Sequence, residues 1–403
     1  MDTEHEPLST DETAPGEQQT GARVPAQPQT DKGPPDMHQV APAPRTKGIT
    51  RFLDDIRPSP GSNVQRIYGI SDCVIAVAFT LFVVNIHLPP AGLNESQLQS
   101  YISHNILSDI PFYLLSYIVV TNSWVSHYRI FTYLKRSSSL FIILNVVFLA
   151  SIVFLPVPVA FFYIYGNQAG VWQVFAATQL VTSTTLLLMW VVARVDHLLD
   201  QDTPPEYPRY TTIRLLIFPL GTLLSLGVAF YNILVGEGIF LLSYVLVLIF
   251  RSVFYRRHPR ENHLEGTIRM CSITDNMVAV AITFLIATIT GTLLSDIHQP
   301  FSTALKAVLE ELPVYGFSLL IVGIFWLSHH RIFMVIRRHD LTLIYLNFAF
   351  LLFIEFQPLF NGLHASYPAS QLTTILYASD QVLTGLMLLV IWWYAAQGPI
   401  HLT

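Results

Sequence analysis

Charge is scarce in this sequence. Only 12% of its 403 residues are Asp, Glu, Lys or Arg, about half the share usual in soluble domains. Apolar residues make up 52%, and mean hydropathy is +0.47. A soluble protein of this length needs more polar surface than these residues supply. A cytosolic enzyme is therefore excluded and a polytopic membrane protein expected. Cysteine is scarcer still. Cys73 and Cys271 cannot form a disulfide framework, and their apolar surroundings read them as small buried hydrophobes. The sequence also lacks a TVGYG segment, a ladder of arginines at every third position, a Gly-rich phosphate loop and an HExxH motif. These absences remove the carbonyl potassium filter, voltage sensor, ATPase and zinc-protease readings. No enzyme activity, metal site or cofactor is expected. Basic residues flank apolar segments, as membrane topology requires, so nucleic acid is not an expected partner.

Residues 1–60 are rich in Pro, Gln, Thr and acidic residues without apolar periodicity, which predicts a disordered tail. No short apolar h-region precedes them, so no cleavable signal is expected. Ten apolar segments follow at about 66–88, 107–134, 138–164, 171–197, 211–234, 238–256, 269–291, 311–337, 341–360 and 371–397. Each is long enough to cross a ~30 Å hydrocarbon core. On a ten-span map every Lys and Arg except Lys306 falls on one side. The positive-inside rule makes that side, and both termini, cytoplasmic.

The chain also repeats itself, with an offset of 203 that drops to 202 after a one-residue gap. Arg66, Ser71 and Asp72 match Arg269, Thr274 and Asp275, and Val77, Ala78 and Thr80 match Val280, Ala281 and Thr283. Trp124, His127 and Phe131 match Trp326, His329 and Phe333; Leu144-Asn145 and Pro156 match Leu346-Asn347 and Pro358. This divides the chain into a first repeat of six helices (64–256), a linker (257–268) and a second repeat of four (269–398). Six helices separate the two starts, so the repeats are parallel, related by an axis along the membrane normal. The fold class is thus all-α and polytopic, an arrangement suited to lining a central pore.

Charges inside a membrane are costly and face protein or water. Asp72 sits about 9 Å beyond Arg66 along the first helix and projects in a different direction, so each needs a partner elsewhere. The returning second helix puts His127 at the depth of Asp72. The expected arrangement is a clasp of Arg66, Ser71 and Asp72 with Trp124 and His127, repeated as Arg269, Thr274, Asp275, Trp326 and His329. Two roles stay open for it: a hydrogen-bonded packing network, or a titrating role in transport. Val77, Thr80 and Val84 fall at i, i+3 and i+7, and Val280, Thr283 and Ala287 repeat the pattern. That stripe reads either as ordinary packing or as a pore lining, with a constriction at Val77 and Val280 and a hydroxyl layer at Thr80 and Thr283.

Arg66, Ser71 and Asp72, together with the Trp124, His127, Phe131 and Leu144-Asn145…Pro156 pattern, resemble the R-x-x-x-F-S-D signature and the second and third helices of the transmembrane protein 175 family of potassium channels. The likeness covers about 64–256 and 266–398. It implies six-helix repeats with first helices lining the pore, a homodimer for a two-repeat chain, and a constriction of aliphatic side chains at Val77 and Val280. The transported ion is then potassium and the surroundings are a lipid bilayer. The implied location is the cell membrane, as for prokaryotic relatives, or an endosomal or lysosomal membrane, where animal members also conduct protons. The sequence departs from the signature where Ile70 and Ile273 replace Phe, Thr274 replaces Ser, and valine replaces a bulkier constriction residue. A proton-coupled transporter using Asp72 and Asp275 is the competing reading.

Overall fold

The computed structural model describes residues 64–397, apart from 91, 258–263 and 296–299; the predicted disordered tail and the middle of the predicted linker lie outside them. The described chain is helical throughout. The first repeat comprises α1 (Val64–Val84), α2 (Glu95–Tyr101), α3 (Ile110–Thr132), α4 (Ser139–Phe154), α5 (Pro156–Tyr165), α6 (Ala169–Val195), α7 (Tyr207–Val228) and α8 (Ile233–Arg257). The second comprises α9 (Leu264–Ser295), α10 (Phe301–Val335), α11 (Leu341–Ser366) and α12 (Gln371–Gln397). With α4 and α5 taken as one broken span, ten helical spans among the described residues are long and apolar enough to cross a membrane. The chain is a multi-pass membrane protein.

Local chemistry explains where these helices begin and bend. Ser138 accepts a hydrogen bond from the Phe141 amide to open α4, and Asp340 accepts one from Leu343 (2.8 Å) to open α11 at the corresponding repeat position. Pro156 lacks an amide proton and separates α4 from α5. Pro358, its counterpart, sits inside α11, which continues past it. The short helix α2 escaped the hydropathy reading because it is polar, although Asn94 and Gln97 form a reciprocal capping box at its start.

The centre of the fold is built from both repeats. α1 packs against α3 and α4 of its own repeat and against α9 and α11 of the other. Tyr117 donates to the Phe348 carbonyl (2.7 Å), and Tyr345 donates to Asn122 (2.9 Å), tying α3 to α11. α7 and α8 form a close hairpin alongside α6. At Gly236 an added Cβ would lie 2.9 Å from that of Ala229, so a side chain there would force the pair apart. Where the basic residues gather, the loops after α3 and α6 are clipped by an antiparallel bridge between Leu134 and Leu199 and by the Lys135–Asp200 ion pair (3.0 Å).

Candidate ion pathway and its polar support

The clasp forms, with one correction to its membership. Trp124 Nε1 donates to Asp72 Oδ1 at 2.8 Å, but the arginine that grips Asp72 is Arg269 of the other repeat, at 2.8–3.2 Å through Nε and Nη2. The same Nη2 donates to His127 Nδ1 (2.8 Å), which fixes the imidazole with its proton on Nε2. His127 Nε2 donates to Asn145 Oδ1 (2.8 Å), Asn145 Nδ2 to Ser71 Oγ (3.0 Å), and Ser71 to the Ile67 carbonyl (2.7 Å). The relay thus ends on a backbone carbonyl, with each member serving the next. The Arg269 guanidinium also sits 5.1–5.5 Å from the rings of Tyr68, Trp124, Tyr128 and Phe131. Buried charge is tolerated where it is paired, hydrogen-bonded and set over aromatic faces. Arg66 belongs to no such network: it lies exposed and makes no ion pair in any described contact.

The second copy repeats the relay without its cation. Trp326 Nε1 donates to Asp275 Oδ1 (2.8 Å), His329 Nε2 to Asn347 Oδ1 (2.8 Å), Asn347 Nδ2 to Thr274 Oγ1 (2.8 Å), and Thr274 to the Met270 carbonyl (3.0 Å). No guanidinium reaches Asp275 in any described contact, and Asp275 is exposed where Asp72 is fully buried.

Matching α1 to α9 position by position sorts their surfaces into three faces. The first is exposed or half-buried in both helices: exposed Cys73 with half-buried Asn276, exposed Val77 with half-buried Val280, and Leu81 with Phe284, both half-buried. It runs at i, i+4 and i+8, one row of an α-helix. The second is buried in α1 and open in α9: Asp72 with Asp275, Ala76 with Ala279, and Thr80 with Thr283. The third is open in α1 and buried in α9: Arg66 with Arg269, and Ile70 (61% exposed) with Ile273 (0%).

This sorting corrects the predicted stripe. Val77 and Val84 are uncovered, but Thr80 is 1% exposed, and its hydroxyl donates to the Ala76 carbonyl (3.2 Å). A residue at i+3 sits 60° around the helix from its stripe mate, enough to turn Thr80 beneath α11. Thr283 is uncovered within the chain but belongs to the same flank. The side chain of Ala287 lies outside the described residues. Cys73 is exposed and Cys271 half-buried, so the expectation of buried thiols fails as well.

The sequence is similar to known proteins. The family described as endosomal/lysosomal potassium channel TMEM175 matches residues 66–156 and 269–358, one match in each repeat. Both repeats are similar to the TMEM175 family. A potassium channel of Streptomyces collinus is 28% identical over 194 residues, covering 44% of this chain and 90% of that protein. One of Chamaesiphon minutus is 28% identical over 196 residues, covering 47% and 94%. The endosomal/lysosomal proton channel TMEM175 of Rattus norvegicus is 22% identical over 332 residues, covering 73% of this chain and 65% of the rat protein. The chain therefore spans a little under two thirds of that animal relative.

Two members of these clusters escaped sequence reasoning. Asn145 and Asn347 stand inside the repeated Leu-Asn pair, and a carboxamide recurring at one place in an apolar helix was the available signal. Leu81 and Phe284 carry no such signal, since neither differs from an ordinary packing residue. Glu355 and Asp380, in α11 and α12, are buried carboxylates; Glu355 lies beside the Thr80 hydroxyl, and the Asp380 oxygens have no hydrogen-bond partner among the described residues. Their counterparts in the first repeat are Val153 and Thr178, so they stand outside the shared machinery.

Proposed function

We propose that this chain is a potassium-permeable ion channel, acting as a homodimer in which four first helices surround the pathway. The observation that carries the reading is the face left open in both repeats. Cys73 and Val77 stay uncovered and Leu81 partly so, although α9 packs on one flank of α1. Asn276, Val280 and Phe284 stay partly uncovered although α1 packs on the opposite flank of α9. A row that neither neighbour covers is the row available to a lumen. Val77 and Val280 fall near the middle of their spans, with Leu81 and Phe284 one turn beyond. Such an aliphatic and aromatic ring resists wetting and passes cations only when the helices part or the ring is made polar. Thr80 and Thr283 are assigned to packing.

The relatives named as potassium channels and as proton channels support cation permeation and put both ions among those to test. The surrounding bilayer is assigned as the cell membrane or an endosomal or lysosomal one, with both termini cytoplasmic from the placement of the basic residues. The competing proton-coupled carrier needs Asp72 to bind and release protons. Asp72 is instead fully buried under a two-nitrogen arginine contact and an indole donor, a packing role. The test is potassium efflux from liposomes holding the purified protein under a potassium gradient. Rapid flux that does not saturate with concentration agrees with the proposal. Slow, saturable flux that requires a counter-moving proton overturns it in favour of the carrier.

A further inference from the structure

The end of the fold where basic residues gather holds an open pocket of about 390 Å³, lined by Arg136, Arg194, His197, Leu199, Asp200 and Pro208 among others. It lies at the margin of two membrane spans, since α6 ends at Val195 and α7 begins at Tyr207. Backbone contacts fix its walls. The amides of Lys135 and Arg136 both donate to the Leu198 carbonyl (3.0 and 3.3 Å), and the Asp200 amide donates to that of Tyr133 (2.8 Å). The carboxylate in the lining is already engaged, because Asp200 accepts from Lys135 Nζ (3.0 Å) and from the Asp202 amide (3.3 Å). Arg194 is braced by donating Nη1 to the Thr212 hydroxyl (3.1 Å), which also takes Trp190 Nε1 (3.0 Å). Arg136 and His197 are exposed, and their side chains make no hydrogen bond or ion pair in any described contact. Cations near a helix C-terminus ordinarily serve its last carbonyls. Here the chain takes those carbonyls itself: Val192 through the Asp196 amide (2.9 Å), Ala193 through Leu198 (2.9 Å) and Arg194 through His197 (3.3 Å). His197 makes this turn at φ 53°, in the left-handed region where glycine is usual. An exposed imidazole kept at a backbone cost has its use outside the packing.

We propose that this pocket binds the phosphate headgroup of an anionic phospholipid in the adjoining leaflet. Phosphate oxygens suit its donors: arginine gives paired N–H bonds, and an imidazole offers an N–H in either protonation state. What adjoins the pocket favours a lipid over a free phosphate. Val191 and Val195, three residues before and one after Arg194, are exposed apolar side chains at the end of the span, where acyl chains run. Basic pockets between spans at the membrane surface hold anionic headgroups in this way. The headgroup bridges Arg136, which follows α3, and Arg194, which ends α6. It therefore braces the same two loops that the Leu134–Leu199 bridge clips. This binding is independent of the ion that the chain passes.

The full chain in detergent micelles provides the test. It is titrated with short-chain phosphatidylglycerol, short-chain phosphatidylcholine or inorganic phosphate, and the unfolding temperature and apparent affinity are read together. Phosphatidylglycerol should stabilise the parent, and the other two should leave it unchanged. Arg136→Gln/Arg194→Gln should weaken the phosphatidylglycerol affinity at least about tenfold. Arg136→Gln alone, at an exposed side chain, keeps the test readable if the pair fails to fold, with a loss of about fivefold. His197→Gly should raise the unfolding temperature of the lipid-free chain by relieving the left-handed backbone, yet weaken lipid binding; a histidine serving only the fold would not split the two. Arg209→Gln, at an exposed arginine outside the lining, should stay within about twofold of the parent. Equal losses from Arg209→Gln and Arg136→Gln would overturn the pocket in favour of diffuse attraction by the whole basic surface. Equal stabilisation by inorganic phosphate would overturn the lipid as occupant. No stabilisation by phosphatidylglycerol would overturn the site.

Discussion

Asp72 and Asp275 occupy one position in two copies of the same repeat, yet one is sealed inside the chain and the other lies open. Both keep an indole donor and a neighbouring His–Asn–hydroxyl relay. What differs is the cation: Arg269 reaches across to Asp72, and among the described residues no arginine of the same chain reaches Asp275. The relay is therefore a property of each repeat, while the ion pair is a property of a junction between repeats. A chain with two repeats contains one such junction and presents the halves of another.

The largest expected effect tests that distinction. Asp72→Ala strands the Arg269 guanidinium, which is 4% exposed, and breaking one side of a buried pair costs about 3–5 kcal/mol. In detergent at high dilution it should abolish the folded chain, measured by thermal unfolding, whereas Asp275→Ala should leave the unfolding temperature of the single chain close to the parent value. Equal losses from both would break the comparison. Next in size are Asn145→Ala and Asn347→Ala. Each removes the centre of a buried relay and should cost about 1–3 kcal/mol. The two losses should match, because the relay is complete in both repeats. Glu355→Leu should go the other way. It deletes two buried oxygens that no hydrogen bond of good geometry satisfies, and should raise stability by about 1 kcal/mol. A large loss there would reveal a role for the acid that its surroundings do not show.

The smallest effect concerns a contact in the first repeat. The hydrogen bond from Lys135 holds the Asp200 carboxyl below the usual carboxylate range. A depressed group contributes its stability above its unfolded pKa and loses it as pH falls through the folded one. Lys135 is well exposed, so Lys135→Ala should cost about 0.2–1 kcal/mol near neutrality, less in high salt. In strongly acid solution, with Asp200 protonated, the variant and parent should unfold alike.

Much of this was legible in the sequence. Low charge and ten apolar segments are enough to specify ten membrane helices, because every span must bury its own backbone hydrogen bonds. The repeated Trp, His and Asp at matched depth foretold which residues would meet. The origin of the arginine was not legible. Spacing along a helix gives depth and direction, but Arg66 and Arg269 share both, and only packing decides which reaches Asp72. Thr80 shows the same limit at finer scale: a 60° displacement separates a lumen from a buried flank, and the neighbour that covers it, α11, lies hundreds of residues away.

The central claim is that the open row of the first helices lines the ion pathway and the threonine flank does not. It is tested most directly by thiol accessibility in a background where Cys73 and Cys271 are replaced by serine. Val77→Cys, Leu81→Cys, Thr80→Cys and Thr283→Cys would each be placed in that background, and potassium flux followed as a charged thiol reagent is added. The account predicts that flux through the Val77→Cys and Leu81→Cys channels falls steeply while the two threonine variants are unaffected. Block of Thr80→Cys with Val77→Cys spared would contradict it.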